Sequence, residues 1–525
     1  MTKPIFKTKP RSQQLKALEL SKGMEAFGYF MTMRTGKTKV TFDDAARAWR
    51  DGLIDTLLVV APNGVQRQWI GEDGAEKHCA VPYKAAYYSG GLGAKAKRAF
   101  GELLARPNDG SYLKILTLNI ESCANTSGQK LLNLAVRHNK CFGGVDESTR
   151  IKTHNAAVSK FLHKLGPMCK MRRILNGTPI TQSPLDLYSQ FMFLDPKIIG
   201  MTTFTSFRNR YAVVQRSLKY EGERKFRAHC AKRGIDPKTV NVNKLTYQQL
   251  AKAGIKPGKD LYDNVVDYKN IDELERKVAP YVYRLARKDV EGLPPIVPYV
   301  RDVEMRADQK RIYKELEEKA CAHLGIAPTD LLAFFMDENK VEASNGLTKL
   351  LKAQQVLGGH VKNSEGELQY IQHNRIKILH DILDEVEGKV IIWARFQPEI
   401  QEIVTALRSK YGHAAVAEFH GKIPHAARDA YKYNFQTSPE TIYLVGQAQA
   451  GGVGQTFDAA DTVINYSNDY SLYVRLQSME RATAFGKKQI ALIDMVCPGT
   501  VDEKILKALK IKEKRAEDFD YGRTS

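Results

Sequence analysis

Short, unbroken runs of apolar residues alternate with helix-like stretches in the first third of the chain. The runs that have the character of strands cover residues 56–62, 113–119, 141–147 and 172–179. Apolar runs separated by helices indicate parallel strands that are covered on both faces. Each run ends in polar residues, and ligands bind such sheets at the carboxyl ends of the strands. The pattern therefore predicts an α/β lobe whose binding site lies at that edge.

The same alternation returns after about residue 374, with strand-like runs at 389–396, 414–421, 441–447, 461–467 and 490–496. The stretch between the two regions is polar, basic and helix-prone, with Gly and Pro breaks. Within it, residues 305–324 have the pattern of an amphipathic helix, with Ile312, Leu316, Ala320 and Leu324 on one face. The predicted fold class is α/β, with two parallel-sheet lobes and helical insertions between and within them. The predicted domains are residues 1–200 (lobe one), 201–370 (a helical basic insertion and linker region) and 371–525 (lobe two with a charged C-terminal helix).

Charge adds a candidate partner to this picture. The 525 residues carry a formal net charge of +21, which points first to a polyanion such as nucleic acid. The 7 cysteines are far apart and form no C-x-x-C pair, which argues against a disulfide framework or a zinc ribbon and favours a reducing compartment. No signal peptide and no apolar run of the roughly 20 residues that a membrane span needs is visible. We expect a cytoplasmic location, or the host cytoplasm for a viral protein, and no membrane partner.

Gly36, Lys37 and Thr38 have the pattern that ends a phosphate-binding loop. Such a loop needs small residues whose N–H groups point inward, a lysine for the β and γ phosphates, and a hydroxyl for Mg²⁺. Residues 25–31 fit the preceding strand, and residues 40–50 fit the following helix, whose N-terminus favours an anion. The tripeptide alone is a weak signal, since it also arises by chance.

Asp146 and Glu147 follow a buried strand in the same predicted lobe. One carboxylate after such a strand can hold Mg²⁺, and the next can orient an attacking water. Most Asp-Glu pairs are solvated loop charges. The position of this pair, in the lobe that carries the phosphate loop, favours a nucleotide triphosphatase.

Four longer segments carry the decisive pattern. They are VDESTRIK (145–152), LNGTPITQSPLDLYSQFMFLDP (175–196), GQAQAGGVGQTFDAADTVINY (446–466) and QSMERATAFGKKQ (477–489). They resemble D-E-A-H-R-I-K-N, L-T-G-T-P-I-Q-N, A-G-G-x-G-x-N-L-x-x-A-D-x-V-I and Q-A-x-D-R-x-H-R-x-G-Q, which are motifs of the SWI/SNF-type ATPases, a branch of the superfamily-two helicases. The segments follow the family order, and the resemblance covers essentially the whole chain. It looks most like the compact bacteriophage or bacterial members.

The resemblance implies two RecA-like lobes with ATP and Mg²⁺ in the cleft between them. In lobe one, the residues implied to surround the nucleotide are Gln14 at the adenine and Arg34, Thr35, Gly36, Lys37 and Thr38 at the phosphates. Thr38 and Asp146 would bind Mg²⁺, and Glu147 would activate water. From lobe two, Gly454 and Gln455 would approach the nucleotide or the DNA backbone, and Arg481 would cross the cleft as an arginine finger. Two plainer interpretations stay open: Gln14 as a surface residue of a helix, and Arg481 as a helix salt-bridge residue.

The sequence departs from the family pattern at several positions. Ala484 stands where the family has a second arginine, and neighbouring lysines lack the planar fork that grips phosphate. Ser148 and Thr149 replace an alanine and a histidine after the acidic pair. Arg34 stands at a family glycine, which is tolerable if the backbone there does not need a positive φ. We therefore expect a competent but slow ATPase.

The expected partner is DNA, whether duplex, forked or single-stranded, with replication or recombination proteins as further candidates. The family tracks the DNA backbone, which requires Lys and Arg rather than base-reading side chains. A candidate clamp is the basic set Arg224, Lys225, Arg227, Lys232 and Arg233, which fits a solvated helix face equally well. Three functions compete: an ATP-dependent DNA translocase or helicase, an RNA helicase, and a DNA-binding regulatory protein with a weakened ATPase.

Overall fold

The computed structural model describes residues 6–218, 220–245, 247–256, 260–324, 326–336, 347–362, 365–449 and 456–519. Within these ranges the chain forms two large α/β lobes and a smaller inserted subdomain. The predicted fold class is thereby confirmed. No helix of the described residues is long and apolar enough to cross a membrane.

The described part of lobe one contains a seven-stranded sheet in which every strand pair is parallel. Its spatial order is β3 (Tyr83–Tyr88), β4 (Leu113–Asn119), β2 (Thr56–Ala61), β5 (Cys141–Asp146), β6 (Met171–Asn176), β1 (Ala26–Met31) and β9 (Val282–Leu285). The four apolar runs predicted as strands are β2, β4, β5 and β6. Since the predicted strand before the phosphate loop is β1, the loop leaves the sheet beside β6.

Helices cover both faces of this sheet, as the unbroken apolar runs predict. They are α1 (Ser12–Leu20), α2 (Lys37–Arg50), α3 (Val65–Ile70), α4 (Ala75–His78), α5 (Ala94–Ala105), α6 (Thr126–His138), α7 (Ala157–Leu165), α8 (Leu187–Leu194) and α9 (Pro196–Ile199). Alternate residues of β1 enter two separate cores: Phe30 packs in one, and Phe27 and Tyr29 pack in the other. Both faces of the strand are therefore buried.

Lobe two has a six-stranded sheet among its described residues, again with parallel pairs throughout. Its order is β10 (Ile296–Asp302), β17 (Ile490–Val496), β16 (Ala460–Asn465), β13 (Lys389–Trp393), β15 (Tyr443–Gly446) and β14 (Val416–Phe419). The surrounding helices are α14 (Ala307–Leu324), α15 (Leu331–Phe335), α16 (Leu347–Leu357), α17 (Arg375–Glu385), α18 (Gln397–Tyr411), α19 (His425–Thr437), α20 (Leu472–Glu480) and α21 (Val501–Asp518). A small hairpin pairs β11 (His360–Lys362) with β12 (Leu368–Tyr370).

The predicted amphipathic helix is α14, and the four apolar residues named for its inner face pack against the core of lobe two. The predicted charged helix near the C-terminus is α21. The five strand-like runs after residue 374 correspond to β13, β14, β15, β16 and β17. Lobe two is thus the second α/β unit that the hydrophobic pattern indicates.

The inserted subdomain is not purely helical, in contrast to the prediction. Besides α10 (Phe204–Tyr211), α11 (Tyr220–Ala231), α12 (Tyr247–Lys252) and α13 (Ile271–Val278), it contains an antiparallel pair of β7 (Ala212–Leu218) and β8 (Leu261–Tyr268). The two strands lie more than 40 residues apart in sequence, so no hairpin turn signals them. Of the candidate clamp, Lys225 pairs with Asp260 at 2.8 Å and Arg227 pairs with Glu223 at 2.5 Å.

The region predicted as insertion and linker also contributes a strand to each lobe. β9 pairs with β1 at the edge of the first sheet, and β10 pairs with β17 at the edge of the second. β9 is only four residues long, and β10 is largely exposed and contains Pro298. Short, exposed, Pro-containing segments are typical of edge strands and give little hydrophobic signal.

Candidate active site

The loop between β1 and α2 has the geometry of a phosphate cradle. Gly36 precedes α2 with φ of 86°, in the region that favours glycine. A Cβ on Gly36 would lie 2.2 Å from Nε2 of Gln14, so the close approach of that side chain also requires glycine. The Thr35 hydroxyl donates to the carbonyl of Thr32 at 2.7 Å, and Nζ of Lys37 donates to the carbonyl of Met31 at 2.8 Å. The loop is therefore compact and directs Lys37 back over its own carbonyls.

Arg34 lies in this loop in the left-handed region, with φ of 64°. From the sequence, an arginine here was tolerable only if the backbone did not need a positive φ, and that condition is not met. Glycine would adopt this conformation without strain, whereas a side chain raises its cost by roughly 1–2 kcal/mol. The arginine is therefore held by other contacts, which reach lobe two.

Gln14 is buried and uses both ends of its amide on lobe one. Its Nε2 donates to the carbonyl of Thr35 at 2.8 Å, and its Oε1 accepts from the main-chain N–H of Arg11 at 2.9 Å. The interpretation of Gln14 as a surface residue is wrong, since only 5% of it is exposed. Gln14 thus braces the phosphate loop from α1, and its contact with adenine stays a prediction.

Asp146 and Glu147 stand together at the carboxyl end of β5. Oδ2 of Asp146 accepts from the indole N–H of Trp69 at 3.0 Å, and its Oδ1 accepts from the main-chain N–H of Glu147 at 3.0 Å. Glu147 has φ of 51°, a strained conformation of the kind that clusters at functional sites. Sequence reasoning missed Trp69, because its role depends on how α3 packs beside β5.

Burial raises the pKa of both carboxyls, and nearby Lys37 opposes that rise at both. The negative charge of Asp146 further raises the pKa of Glu147. Lys37, Asp146 and Glu147 are thus brought into mutual electrostatic range, as the positions of their strands predict. A buried acid with a raised pKa is suited to proton transfer.

Ser148 and Thr149, which depart from the family pattern after the acidic pair, both make hydrogen bonds to other side chains. The Ser148 hydroxyl donates to Oε1 of Gln190 at 2.6 Å, and the Thr149 hydroxyl accepts from Nδ2 of Asn176 at 3.0 Å. Oδ1 of Asn176 in turn accepts from the main-chain N–H of Thr178 at 2.9 Å. Thr149 therefore connects the acidic loop to the Gly-Thr-Pro segment that follows β6.

Lobe two approaches this site with a carboxylate. Glu480 is half-buried at the end of α20 and accepts from the hydroxyl of Thr32 at 3.1 Å and from the main-chain N–H of Met33. Burial raises its pKa, whereas the charges of Lys37 and Arg287 lower it. Glu147, Tyr473 and Glu480 line one small cavity at the junction of the lobes. Sequence reasoning missed Glu480, and its place next to Arg481 was the available signal.

Arg481 is buried, with its guanidinium 5.6 Å from the centre of the Trp393 ring in lobe two. Its Nη1 makes no hydrogen bond with any described residue, and burial lowers the pKa of Arg481 to about 10. No ion pair to a described residue supports the alternative of a helix salt bridge. The contact with lobe one comes from the carbonyl of Arg481, which accepts from Nη2 of Arg34 at 3.1 Å. The finger role stays a prediction, and Gly454 and Gln455 lie outside the described residues.

The donor set at this edge fits a magnesium–nucleotide complex. Thr38 is the second residue of α2 and Asp146 ends β5, so a hydroxyl and a carboxylate are available beside Lys37. Within the described ranges, no group of three or more His, Cys, Asp or Glu could hold a metal by itself. Mg²⁺ is usually bound through one or two carboxylates, waters and substrate phosphates, and Asp146 is a carboxylate of this kind.

Two parallel-sheet lobes, a phosphate loop and a buried Asp-Glu pair at the strand ends define a nucleotide triphosphatase of the helicase class. The SNF2-related domain matches residues 20–363, and the helicase conserved C-terminal domain matches residues 374–486. The chain therefore belongs to the SNF2-related family of helicase-type, nucleic-acid-dependent ATPases.

The similarity to individual relatives is distant. The DNA repair and recombination protein RDH54 of Saccharomyces cerevisiae (strain JAY291) is 23% identical over 385 residues, which are 71% of this chain and 37% of that protein. The CHD3-type chromatin-remodeling factor CHR7 of Arabidopsis thaliana is 24% identical over 278 residues, 48% of this chain and 21% of that protein. A Sulfolobus solfataricus SWI2/SNF2 ATPase core solved with dsDNA is 18% identical, with a TM-score of 0.39 over 99% of this chain and 96% of that chain. The chain thus matches little more than a third of the length of RDH54 and about a fifth of the length of CHR7.

Proposed function

We propose that this protein is an ATP-dependent DNA translocase or helicase that couples ATP hydrolysis to movement along DNA in replication, recombination or repair. The observation that carries the proposal is the convergence of Lys37, Asp146 and Glu147 at the strand ends of lobe one, facing α20 of lobe two. Family membership supports the same chemistry. In this account, ATP is bound by lobe one and hydrolysed when lobe two closes on it.

Lys37 and the N–H groups at the start of α2 bind the β and γ phosphates. Thr38 and Asp146 would hold Mg²⁺, which when bound neutralises charge on the phosphate oxygens. Trp69 fixes the orientation of Asp146 through its indole N–H. Gln14 holds the phosphate loop in shape and, in the proposal, also contacts adenine.

Glu147 orients the attacking water and accepts its proton. Its burial places a base in a low-dielectric pocket, where its electrostatic interaction with Lys37 is strong. Arg481, when it leaves the Trp393 ring, supplies positive charge to the transferred phosphoryl group. Opening and closing of the lobes would then move the DNA relative to the protein.

DNA is proposed as the track because the net charge of +21 suits a phosphate backbone. Relatives are named for DNA repair and recombination and for chromatin remodeling, which supports the same track. Replication or recombination proteins are proposed partners, and a cytoplasmic location and a bacteriophage or bacterial origin stay predictions. The first alternative is an RNA helicase, because the motifs of the wider helicase superfamily also permit RNA as the track. The second alternative, a DNA-binding regulator with a weakened ATPase, is favoured by Ala484 and by the position of the Arg481 guanidinium over the Trp393 ring of its own lobe.

The test is steady-state ATP hydrolysis by the purified chain, alone and with single-stranded DNA, duplex DNA, forked DNA or RNA. The proposal expects turnover that DNA stimulates more than RNA does. Stronger stimulation by RNA would favour the RNA helicase. Tight DNA binding with no turnover would favour the regulator and contradict the translocase.

A further inference from the structure

Arg34 connects the phosphate loop of lobe one to two separate groups of lobe two. Its Nη2 donates to the carbonyl of Arg481 at 3.1 Å and also forms an ion pair with Oδ1 of Asp458. That oxygen accepts no well-aligned hydrogen bond from a described residue, so the second contact is ionic. The Arg34 side chain is 18% exposed and that of Asp458 is 43% exposed, so the arginine end of the pair is the shielded one.

The backbone of Arg34 shows that this side chain is retained against a local cost. Its φ of 64° is a conformation that glycine adopts freely and that costs other residues energy. Strained residues persist where surrounding contacts fix them, and they concentrate at functional sites. Since the contacts that fix Arg34 lie in lobe two, its function concerns the junction of the lobes.

The position of Arg34 also complements the departure at Ala484. Compared with the family pattern, Arg34 replaces a glycine in lobe one, and Ala484 replaces an arginine in lobe two. Arg34 contacts the main chain of Arg481, three residues before Ala484. The positive charge that lobe two lacks at the interface is thus present on the facing loop of lobe one.

We propose that Arg34 is a positioning residue that couples the phosphate loop to lobe two by holding the main chain of Arg481 and the carboxylate of Asp458. This inference deepens the proposed function and rests on it. Because Arg34 lies two residues before Gly36, a phosphate that reshapes the loop moves the Arg34 guanidinium as well. Arg34 therefore acts through Arg481, whose placement it sets during lobe closure.

Other contacts also join the lobes and stay intact when Arg34 is changed. Nη1 of Arg287 donates to the hydroxyl of Thr483 at 3.2 Å, and the guanidinium of Arg11 lies 4.1 Å from the centre of the Phe485 ring. Removal of the Arg34 side chain is thus expected to alter the alignment of the lobes without separating them. The effect should appear in kcat rather than in ATP binding.

The experiment compares DNA-stimulated ATP hydrolysis by the full chain and its Arg34→Gly variant, with kcat and KM for ATP measured separately. We expect kcat to fall about tenfold, in the range of typical couplings between sites, while KM changes less than about threefold. Glycine relieves the strained φ, so the melting temperature of the variant should be equal to or above that of the wild type. A loss of kcat then has no origin in unfolding.

Two further variants separate positioning from a general structural effect. The charge-reversed pair Arg34→Asp with Asp458→Arg should recover part of the kcat that each single change loses. Asn270→Gly is the matched control, because among the described residues Asn270 is the non-glycine residue of positive φ that lies outside the site, with φ of 53° at the start of α13. It should leave kcat unchanged.

The outcomes distinguish this inference from the proposed function. A wild-type chain with DNA-stimulated turnover and an Arg34→Gly variant of equal kcat would overturn the positioning role and leave the proposed function standing. The absence of recovery in the charge-reversed pair would also overturn it. A wild-type chain without turnover in any nucleic acid would overturn the proposed function, and the inference with it.

Discussion

Glu480 of lobe two accepts a hydrogen bond from the hydroxyl of Thr32 in the phosphate loop, at 3.1 Å. Lobe two therefore presents a carboxylate to the loop, while the guanidinium of the neighbouring Arg481 lies over Trp393. An anion beside Lys37 competes electrostatically with a triphosphate for the same positive charge. We therefore expect the junction of the lobes to affect nucleotide affinity.

Glu480→Gln should bind ATP more tightly, because it removes the negative charge that interacts with Lys37 and keeps an oxygen that can accept from Thr32. A gain on the order of 1 kcal/mol corresponds to about fivefold in Kd. Titration with a fluorescent ATP analogue measures this affinity. Glu102→Gln, on the exposed surface of α5, is the control and should have no effect. Unchanged or weaker binding by the Glu480 variant would show that its carboxylate does not oppose the phosphates.

Trp69→Phe should lower kcat about tenfold, as is common when a side chain that orients a metal ligand is lost. Phenylalanine preserves much of the contact with Phe42, whose ring lies 5.5 Å from that of Trp69, but it cannot donate to Asp146. The Mg²⁺ concentration needed for half-maximal ATP hydrolysis should also rise in this variant. A magnesium titration of the hydrolysis rate measures it. Trp49→Phe, a half-buried tryptophan of α2, provides the comparison. Equal magnesium dependence in the two variants would refute the orienting role.

Ala484→Arg should raise kcat, because it restores a second guanidinium to the family position on lobe two. Arginine fingers contribute about 10³–10⁵ in related phosphoryl transfer, although here Arg34 already supplies charge at the interface, so we expect about tenfold. Ala484→Lys is the matched variant, since lysine adds the same charge without the planar fork. Single-turnover hydrolysis with DNA compares the three chains. Equal rates in all three would mean that position 484 does not reach the phosphates.

Glu399 in lobe two provides a test of stability that is independent of catalysis. It accepts from the hydroxyl of Ser467 at 2.6 Å, and burial raises its pKa from 4.5 to about 7. Between those values the folded chain keeps a proton that the unfolded chain has released, so this residue's contribution to stability falls as the pH rises. Glu399→Gln lacks that titration. Its free energy of unfolding should exceed that of the wild type by about 1–3 kcal/mol at pH 8 and match it near pH 4, below the pKa of the unfolded chain.

Thermal unfolding at the two pH values measures this difference. Glu440→Gln, at an exposed position before β15, is the control and should follow the wild type at both. A Glu399 variant that is no more stable than the wild type at pH 8 would show that the carboxyl is not buried as the structure describes.

Much of the fold follows from the sequence because buried parallel strands are apolar on both faces. β2, β4, β5 and β6 are such strands, and their carboxyl ends bring the phosphate loop and the Asp-Glu pair to one edge. β3 is half-buried, β9 is four residues long, and β10 is exposed, so their apolar patterns are weak. The β7–β8 pair depends on contacts between distant residues, which local patterns do not encode.

The placement of a site residue was predictable where one short motif at a strand end contains it. Lys37, Asp146 and Glu147 are of this kind. Trp69 and Glu480 act through contacts between separate elements, and the conformation of Arg34 depends on lobe two. The orientation of Arg481 over Trp393 has the same origin, since it is set by packing inside lobe two.

The most direct test of the central claim is steady-state ATP hydrolysis by the wild type and by Glu147→Gln, with and without duplex DNA. Glutamine keeps the size of the side chain but cannot accept a proton from water. We predict that DNA stimulates the wild type, and that the variant binds ATP with unchanged affinity but does not hydrolyse it. Turnover by the variant at the wild-type rate, or a wild type that DNA does not stimulate, would contradict the account.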